Sequence, residues 1–320
     1  MDALAGLLDG PRARGAFLLR CRFEPPWAIR IEDRAPLCLI AMVAGECVLL
    51  GADGDRHRLR PGSVAIVRGP EPYSLADPVG TPTQAVIHPG QRCATPDGRP
   101  LPASMDLGVR TWGTAADGRT VLLTGTWTGD GEIRRRLLTA LPPVLIRAGE
   151  QPGEPAGSTV GPLLRLLGAE IDRDDPGQAV VLDRLLDLLL IAVLRDWLGR
   201  ADGGGPAWYR AHGDPVVGPA LRAMHDEPAR PWTVAALAVR GGVSRAALAR
   251  RFTDLVGEPP MAYLTGWRLA LAADLLRDPE ATVGAVARRV GYASPFALSA
   301  AFKRRHGVSP SHLRRASQIP

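Results

Sequence analysis

The stretch VARRVGYASPFALSAAFKRRHGVSPSHLRR, from Val286 to Arg315, decides the fold of the last third of this 320-residue chain. A short helical segment leads to Gly291, which can adopt a left-handed turn without strain, and then to Ser294, a favourable N-cap for a second helix. Leu298 and Phe302 stand four residues apart on that helix, so both are expected to face the core. This order of parts predicts a helix-turn-helix.

The same pattern occurs once more, earlier in the chain. The residues in the corresponding places are Gly242, Ser244, Leu248 and Phe252. Between the two copies, residues 261–277 show an unbroken helical pattern and are expected to form a rigid spacer. The repeat predicts a tandem helix-turn-helix, with units at about 232–255 and 281–306, whose second helices lie about one DNA turn apart, roughly 34 Å, on one duplex face.

The surplus of basic residues lies in the same part of the chain. Residues 214–320 contain 14 Arg and one Lys against eight acidic residues, a net charge of +7. Residues 1–213 contain 24 Arg and no Lys against 25 acidic residues. The net charge of +6 for the whole chain therefore belongs to the last third. A basic segment of this kind favours a polyanionic partner, either nucleic acid or an anionic membrane surface.

Insertion into a membrane is not expected. The most apolar stretch, residues 182–198, is interrupted by five charged residues, so it has no run long enough to span a bilayer. The first ten residues, MDALAGLLDG, carry an acid where a signal peptide needs positive charge. The sequence predicts a cytoplasmic protein.

The first half of the chain has a different pattern. From residue 17 to about residue 128, short apolar runs broken by Gly, Pro and Asp predict an all-β sandwich or barrel. Asp53-Gly54-Asp55 predicts a hairpin. Leucines at helical spacing then predict two amphipathic helices at 163–171 and 180–198, which either pack within their own domain or also supply a dimer interface.

These patterns predict a multi-domain protein with α and β parts. The expected segments are a β-rich domain at 1–150, a helical pair at 151–200, a flexible joint at 201–213 and an all-α DNA-binding domain at 214–320. The joint is predicted from the run RADGGGP at residues 200–206, whose three glycines leave the backbone unconstrained.

Residues 214–316 resemble the DNA-binding domain of the AraC/XylS family of transcription regulators, whose signature the opening stretch carries almost unchanged. The resemblance implies that residues just inside each second helix read base edges. These are Arg245, Ala246, Ala249 and Arg250 in the first unit and Pro295, Phe296 and Ser299 in the second. Ala300 stands where the family commonly has a basic residue, so weaker direct readout is expected from the second unit.

Phosphate contacts are expected from a further set of residues, which would fix the position of the protein on the duplex without reading sequence. They are Ser244, Arg251, Ser294, Lys303, Arg304 and Arg314. Arg314 and Arg315 fit equally well as solvated charges.

The β-rich part resembles the AraC-binding-like cupin module, which implies a small β-barrel that acts as a sensor. The segments that carry this resemblance are 25–32, 44–54, 58–77 and 139–147. Enzymatic cupins bind a metal through two histidines and a glutamate in one motif and a histidine in another. Here Glu46, His57 and His88 lack that spacing, and Tyr73 stands where the second-motif histidine would be. We therefore expect no metal, no other cofactor and no catalytic residues.

The cysteines suggest one kind of signal. The four are Cys21, Cys38, Cys47 and Cys93. Cys38 and Cys47 lie in apolar runs and are expected in the core, whereas His88 and Arg92 are expected to lower the pKa of Cys93. Some regulators with this module, including reactive-chlorine sensors, use two cysteines placed much like Cys21 and Cys93, which implies oxidation or electrophile adduction as the signal. The alternative is that both are ordinary core cysteines and the barrel binds a small apolar molecule or nothing.

The sequence as a whole predicts a sequence-specific transcription regulator with a cupin-like sensor, a helical dimerisation pair and a tandem helix-turn-helix. The expected partners are double-stranded promoter DNA, RNA polymerase and a second copy of the chain. Two alternatives belong to other classes, namely a cupin enzyme fused to a DNA-binding tail and an architectural DNA-binding protein without a sensor.

Overall fold

The computed structural model describes residues 17–108, 110–127, 131–149, 159–173, 175–199, 207–278 and 280–316. The described residues fall into two compact units. The β-rich unit contains residues 17–127 and 141–199, and the helical unit contains residues 131–140 and 207–316. The glycine run at 200–206 lies outside the described residues. The rest of the predicted joint is helical, and its Ala211 is buried in the core of the helical unit.

Two six-stranded sheets form the β-rich unit. The strands, numbered along the chain, are β1 (Phe17–Phe23), β2 (Trp27–Ile31), β3 (Leu37–Ala44), β4 (Cys47–Leu50), β5 (Arg56–Leu59), β6 (Val64–Arg68), β7 (Tyr73–Asp77), β8 (Ala85–His88), β9 (Arg92–Ala94), β10 (Thr111–Gly113), β11 (Thr120–Trp127) and β12 (Val144–Arg147). One sheet has the order β10-β1-β11-β3-β6-β12 and the other β5-β4-β7-β2-β8-β9. The prediction of a β-rich N-terminal domain is confirmed.

The pattern of each strand explains which face it buries. In β4 the residues alternate between buried and half-buried, as expected for a strand with one face on the core. β3 is buried at its first six positions because it lies in the middle of its sheet. The predicted hairpin joins β4 to β5, with Cys47 opposite Leu59 and a φ of 86° at Gly54. The core fills the space between the two sheets.

The helices, numbered along the chain, are α1 (Glu132–Ala140), α2 (Val160–Ile171), α3 (Gln178–Leu198), α4 (Ala207–Arg210), α5 (Val217–Asp226), α6 (Val234–Arg240), α7 (Arg245–Val256), α8 (Pro260–Leu275), α9 (Val283–Arg289), α10 (Pro295–His306) and α11 (Pro310–Ala316). None of these helices, which all lie in the described part of the chain, is both long and apolar enough to cross a membrane.

The helical pair belongs to the β-rich unit. Helices α2 and α3 pack on each other, and Leu186 of α3 sits against β11. A Cβ at Gly125 of β11 would lie 2.5 Å from the Leu186 side chain, so any larger residue there would have to push this leucine aside. The two helices predicted at 163–171 and 180–198 are confirmed, and each begins two or three residues earlier than predicted.

The helical unit has two separate cores. One lies among α5, α6, α7 and the first half of α8, and the other among the second half of α8, α9 and α10. Helix α1, which the sequence did not predict, packs against α8, and the backbone N–H of Glu132 donates to Oδ1 of Asp274 at 2.6 Å. The predicted spacer helix is confirmed, and it contributes to both cores.

Candidate nucleic-acid interface

The two helix-turn-helix units are built with the same hydrogen bonds at corresponding residues. In the first unit, Thr233 and Ser244 cap α6 and α7, and each hydroxyl accepts from the backbone N–H three residues later. In the second unit, Thr282 and Ser294 cap α9 and α10 in the same way, and the four distances are 3.1 to 3.2 Å. Each cap satisfies an N–H group that the helix itself leaves unpaired. The repeat in the sequence is therefore a repeat in local structure.

The turns and buried faces also correspond. Gly242 and Gly291 take left-handed φ values of 66° and 79°, as the sequence predicts for both turns. The residues predicted to face the core are each at most 1% exposed, and they are Leu248, Phe252, Leu298 and Phe302. The predicted tandem helix-turn-helix is confirmed, and the opposite faces of α7 and α10 are left outward.

The residues predicted to read bases lie on those outward faces. Those that are exposed are Arg245, Ala246, Arg250, Pro295 and Phe296, and those that are half-buried are Ala249 and Ser299. Phe296 is 85% exposed, so its ring is available to a partner rather than to the core. Helix α7 presents two guanidinium groups, whereas the first turn of α10 presents an aromatic ring and small side chains. Their role in base reading stays a prediction.

The residues predicted to contact phosphate differ in their exposure and in the hydrogen bonds that they already make. Lys303 and Arg304 are exposed in the last turns of α10. The hydroxyls of Ser244 and Ser294 already accept a cap hydrogen bond, which leaves each O–H as a donor. Arg314 is half-buried and donates to the carbonyl oxygen of Ala281 at 3.1 Å, so it is not simply a solvated charge. The side chain of Arg315 lies outside the described residues.

Arg251 makes an ion pair that the sequence did not predict. Its guanidinium donates from Nε and Nη2 to Oδ2 of Asp214 at 3.0 and 2.6 Å. Oδ1 of Asp214 also accepts from the backbone N–H groups of Val216 and Val217, both at 2.9 Å, at the start of α5. These donors hold the pKa of Asp214 at about 2, and the carboxylate in turn raises the pKa of Arg251. The pair ties α7 to α5, so Arg251 has a structural contact besides its predicted phosphate contact.

Arg268 is a second contact that sequence reasoning missed. It lies on α8 and donates to the carbonyl oxygens of Pro228 and Arg230, both at 2.7 Å. The available signal was its position as the one basic residue in the mostly apolar run from 259 to 276, where Asp274 is the one acidic residue. A charge in such a run indicates a specific partner, because burial of an unpaired guanidinium is costly.

A second candidate site lies in the β-rich unit, where a cavity of about 370 Å³ is bounded by strands of both sheets. Most of its wall is apolar, and it includes Leu19, Ile29, Ile31, Leu75, Ile87 and Trp112. Asp33, Gln91 and Arg110 supply polar groups. Nε2 of Gln91 donates to Oδ2 of Asp33 at 3.2 Å. An apolar cavity with a few placed polar groups is typical of a small-molecule site.

Three of the four cysteines line this cavity. Cys21 and Cys38 are buried, and Cys93 is exposed. Burial raises the pKa of Cys21 to about 12 and that of Cys38 to about 11. Partial burial of the thiol also raises the pKa of Cys93, although the residue as a whole is exposed, so the expectation that His88 and Arg92 would lower this pKa is wrong. Desolvation, which disfavours the charged thiolate, is the largest cause of the raised pKa of all three thiols.

The residues considered for a metal site have other surroundings. Oε1 of Glu46 accepts from Nη2 of Arg58 at 2.5 Å, and Tyr73 lines the cavity. Within the described residues, no group of three His, Cys, Asp or Glu side chains could hold a metal ion. The expectation of no metal stays a prediction.

Comparisons with known proteins match both parts of the chain. Residues 2–199 match the family described as Cupin, and residues 237–316 match the family described as Helix-turn-helix domain. The chain is 33% identical over 323 aligned residues to a Streptomyces lividans protein named as an AraC-like transcription regulator, with 100% of both chains covered. It is 28% identical over 318 residues to the HTH-type transcriptional regulator AlkR of Acinetobacter baylyi, with 99% of this chain and 100% of that one covered.

A solved structure also matches the C-terminal part. It is the DNA-binding domain of AdpA, a global transcriptional factor, in complex with a target DNA. The two sequences are 35% identical, the match covers 32% of this chain and 93% of that one, and the TM-score is 0.31.

The ion pair between Asp214 and Arg251 gives a prediction for stability. Asp214→Asn keeps an oxygen that can cap α5 but removes the charge, so we expect the free energy of unfolding at pH 7 to fall by about 1 kcal/mol. Because the pKa of Asp214 is lowered from 3.8 to about 2, this contribution is present above pH 4 and lost as the pH falls toward 2. Urea unfolding of the full chain between pH 3 and pH 7 measures the difference. Asp254→Asn, an exposed site on α7, is the control, and equal effects of the two variants at pH 7 would contradict the prediction.

Proposed function

The chain belongs to the family of AraC-like transcription regulators, and we propose that it reads two adjacent promoter segments with α7 and α10 in response to a signal. It is a DNA-binding transcription regulator with a cupin-like N-terminal domain. The observation that carries the proposal is the structural repeat, in which two capped helices present outward faces from the segment of net charge +7.

The side chains on these faces support an unequal division of readout. An α-helix fits the major groove of B-DNA, where an arginine can donate two hydrogen bonds to one guanine. Arg245 and Arg250 on α7 offer such donors. Phe296 on α10 offers apolar contact with a thymine methyl group, which discriminates less. We therefore assign most of the base discrimination to the first unit.

A comparison of two variants tests this assignment. We expect Arg250→Ala to reduce the preference for the best guanine-containing site over its single-base variants by about 5-fold to 150-fold, which corresponds to about 1 to 3 kcal/mol. Phe296→Ala is expected to cost less. The measurement is a binding titration at one fixed salt concentration, with sites selected from random DNA by the wild-type chain.

Arg305→Ala is the control, since it removes an exposed charge from the last turn of α10 and is expected to weaken all sites about equally. Equal losses of discrimination in the Arg250 and Phe296 variants would refute the asymmetry.

We further propose that the chain catalyses no reaction and acts in the cytoplasm, with RNA polymerase as a further partner. The similar proteins are named as transcription regulators. The alternative of a fused cupin enzyme is less well supported, because Glu46 is paired with Arg58 and a tyrosine, Tyr73, takes the place of the second-motif histidine. Stoichiometric metal in the purified protein would favour that alternative.

A second copy of the chain is the proposed partner of the helical pair. Four large apolar side chains are exposed on α2 and α3, and they are Leu166, Val180, Val181 and Leu188. Val181 and Leu188 stand seven residues apart on α3, so they lie on one face of the helix. Grouped apolar side chains on a helix surface are typical of a protein interface.

Charge substitution tests the proposed dimer. We expect the wild-type chain to be a dimer by size-exclusion chromatography with light scattering. Val181→Asp and Leu188→Asp are expected to shift it to monomer, because a buried unpaired carboxylate is costly at an interface. Val239→Asp is the matched control, since Val239 is 78% exposed on α6 in the other unit. A wild-type chain that is monomeric at every concentration would exclude the dimer.

The cavity of the β-rich unit is the proposed site of the signal. Its apolar wall favours a small apolar ligand. A thiol signal is supported by a separate observation, which is that Cys21 and Cys93 line the same cavity. Because the raised pKa keeps these thiols protonated near neutral pH, they react slowly unless the reagent itself partitions into the cavity.

Serine substitutions separate the two kinds of signal. If thiols carry it, Cys21→Ser and Cys93→Ser lose the response of a promoter reporter to a neutral reagent, either hypochlorous acid or N-ethylmaleimide. Cys47→Ser is the control, since Cys47 is also buried but does not line the cavity, and it should keep the response. Labelling of Cys93 by N-ethylmaleimide should rise as the pH increases beyond the ordinary thiol pKa, because burial raises its own pKa. An unchanged response in both variants would remove the thiol signal and leave the apolar ligand.

A further inference from the structure

Helix α8 passes from one core of the helical unit to the other. Tyr263 and Leu264 pack in the first core, with α5, α6 and α7. Leu269, Ala272 and Ala273 pack in the second core, with α9 and α10. Between these two groups, at the point where the helix changes core, lies Arg268. A side chain at this position can contact residues of both halves of the helical unit, so it is well placed to fix one helix-turn-helix unit relative to the other.

Arg268 binds the segment that leads into the first unit, residues 227–232. Its Nε donates to the carbonyl oxygen of Pro228 and its Nη2 to that of Arg230, both at 2.7 Å. The segment is held in shape by Trp232, whose Nε1 donates to the carbonyl oxygen of Glu227 at 2.9 Å. Burial lowers the pKa of Arg268, and the electrostatic effect of Tyr292, the residue after Gly291 in the second turn, opposes that shift.

The turn of the second unit packs against the same segment. A Cβ at Gly291 would lie 2.6 Å from the carbonyl oxygen of Ala229 and 2.7 Å from its Cα, so only glycine fits. At Gly242, the corresponding glycine of the first unit, a Cβ would meet no atom within 4 Å. Both glycines have positive φ, so the turn itself does not explain the difference. The difference lies in the junction, where the turn of the second unit contacts the backbone of the segment that leads into the first unit.

We propose that Arg268 and Gly291 are positioning residues that set the spacing and rotation of α7 relative to α10, and thereby the separation of the two DNA segments that the protein accepts. One added base pair moves the second segment by about 3.4 Å and turns it by about 35°. A rigid junction cannot follow that change without losing contacts on one segment. The two short hydrogen bonds of Arg268 and the backbone contact of Gly291 therefore restrict the spacing of the DNA segments that the protein accepts, although neither residue reads a base.

This inference rests on the proposed reading of DNA by both units. The probe is a set of duplexes carrying the site that the full-length wild-type chain selects from random DNA, with zero, one or two base pairs inserted or deleted between its halves. Affinities are measured at one salt concentration. We expect the wild type to prefer its selected spacing over a change of one base pair by at least about tenfold, the usual scale for a wrong base pair.

Arg268→Met is expected to reduce this preference to less than about threefold, because it removes both hydrogen bonds and leaves the base-facing residues unchanged. Arg222→Met is the matched control, since Arg222 also donates to a backbone carbonyl, that of His212, but both residues precede the first unit and lie away from the junction with the second. The control should keep the wild-type preference for spacing.

A second pair of variants perturbs the junction without touching a charge. Gly291→Ala places a methyl group against Ala229, whereas Gly242→Ala places one in open space at similar φ. Only Gly291→Ala should relax the preference for spacing. Thermal unfolding of both variants measures the backbone strain that an alanine at positive φ causes in each. This pair keeps the test decisive if Arg268→Met does not fold.

The outcomes separate this inference from the function on which it rests. If the wild type selects no two-part site, the proposed reading by both units fails. If it selects one and the junction variants bind more weakly but keep the wild-type preference for spacing, the role of Arg268 and Gly291 as positioning residues is overturned.

Discussion

Helix α8 is the constraint on which the helical unit depends, because one continuous helix supplies side chains to two cores. Neither helix-turn-helix unit has enough apolar surface in its two short helices to form a core alone. The first unit completes its core with Tyr263 and Leu264, and the second with Leu269 and Ala272. A rotation of one unit about α8 would have to break packing in at least one core. The two outward faces are therefore held in a fixed relation by the same contacts that stabilise the fold.

In the proposed reading of DNA, this arrangement would let the two units supply different kinds of information. The first carries Arg245 and Arg250 on its outward face, and the second carries Phe296 with small neighbours. The second unit is, however, the one whose turn at Gly291 packs against the other unit. A unit with weak base chemistry still contributes to specificity if its distance from the other unit is fixed, because it then rejects sites in which the two segments are wrongly separated.

The parts of the structure that the sequence predicted are those specified by local interactions. A threonine or serine cap acts three residues along the chain, and a left-handed glycine acts within its own turn, so Ser244, Ser294, Gly242 and Gly291 were recognisable. The pairs Asp214 with Arg251 and Arg268 with Pro228 join residues about 40 apart, and no spacing rule predicts them. Helix α1 was missed because its contact, with α8, lies more than 100 residues further along the chain. The prediction that the pKa of Cys93 is lowered was wrong for a related reason. The sequence shows which residues are adjacent to the thiol but not how far the thiol is desolvated.

The cavity also restricts the signals that could act through its thiols. The thiolate is the nucleophile, and the desolvation that raises the pKa of Cys21 and Cys93 keeps that form scarce. The same apolar wall disfavours the entry of a charged oxidant, because such a species would lose its hydration there. A reactive signal must therefore be neutral and apolar enough to enter, which is also what a non-covalent ligand of this cavity requires. Since Cys93 is exposed while Cys21 is buried, a reagent from solvent meets Cys93 first. Reaction at Cys21 follows only if the reagent enters the cavity or if the modified Cys93 side chain turns into it.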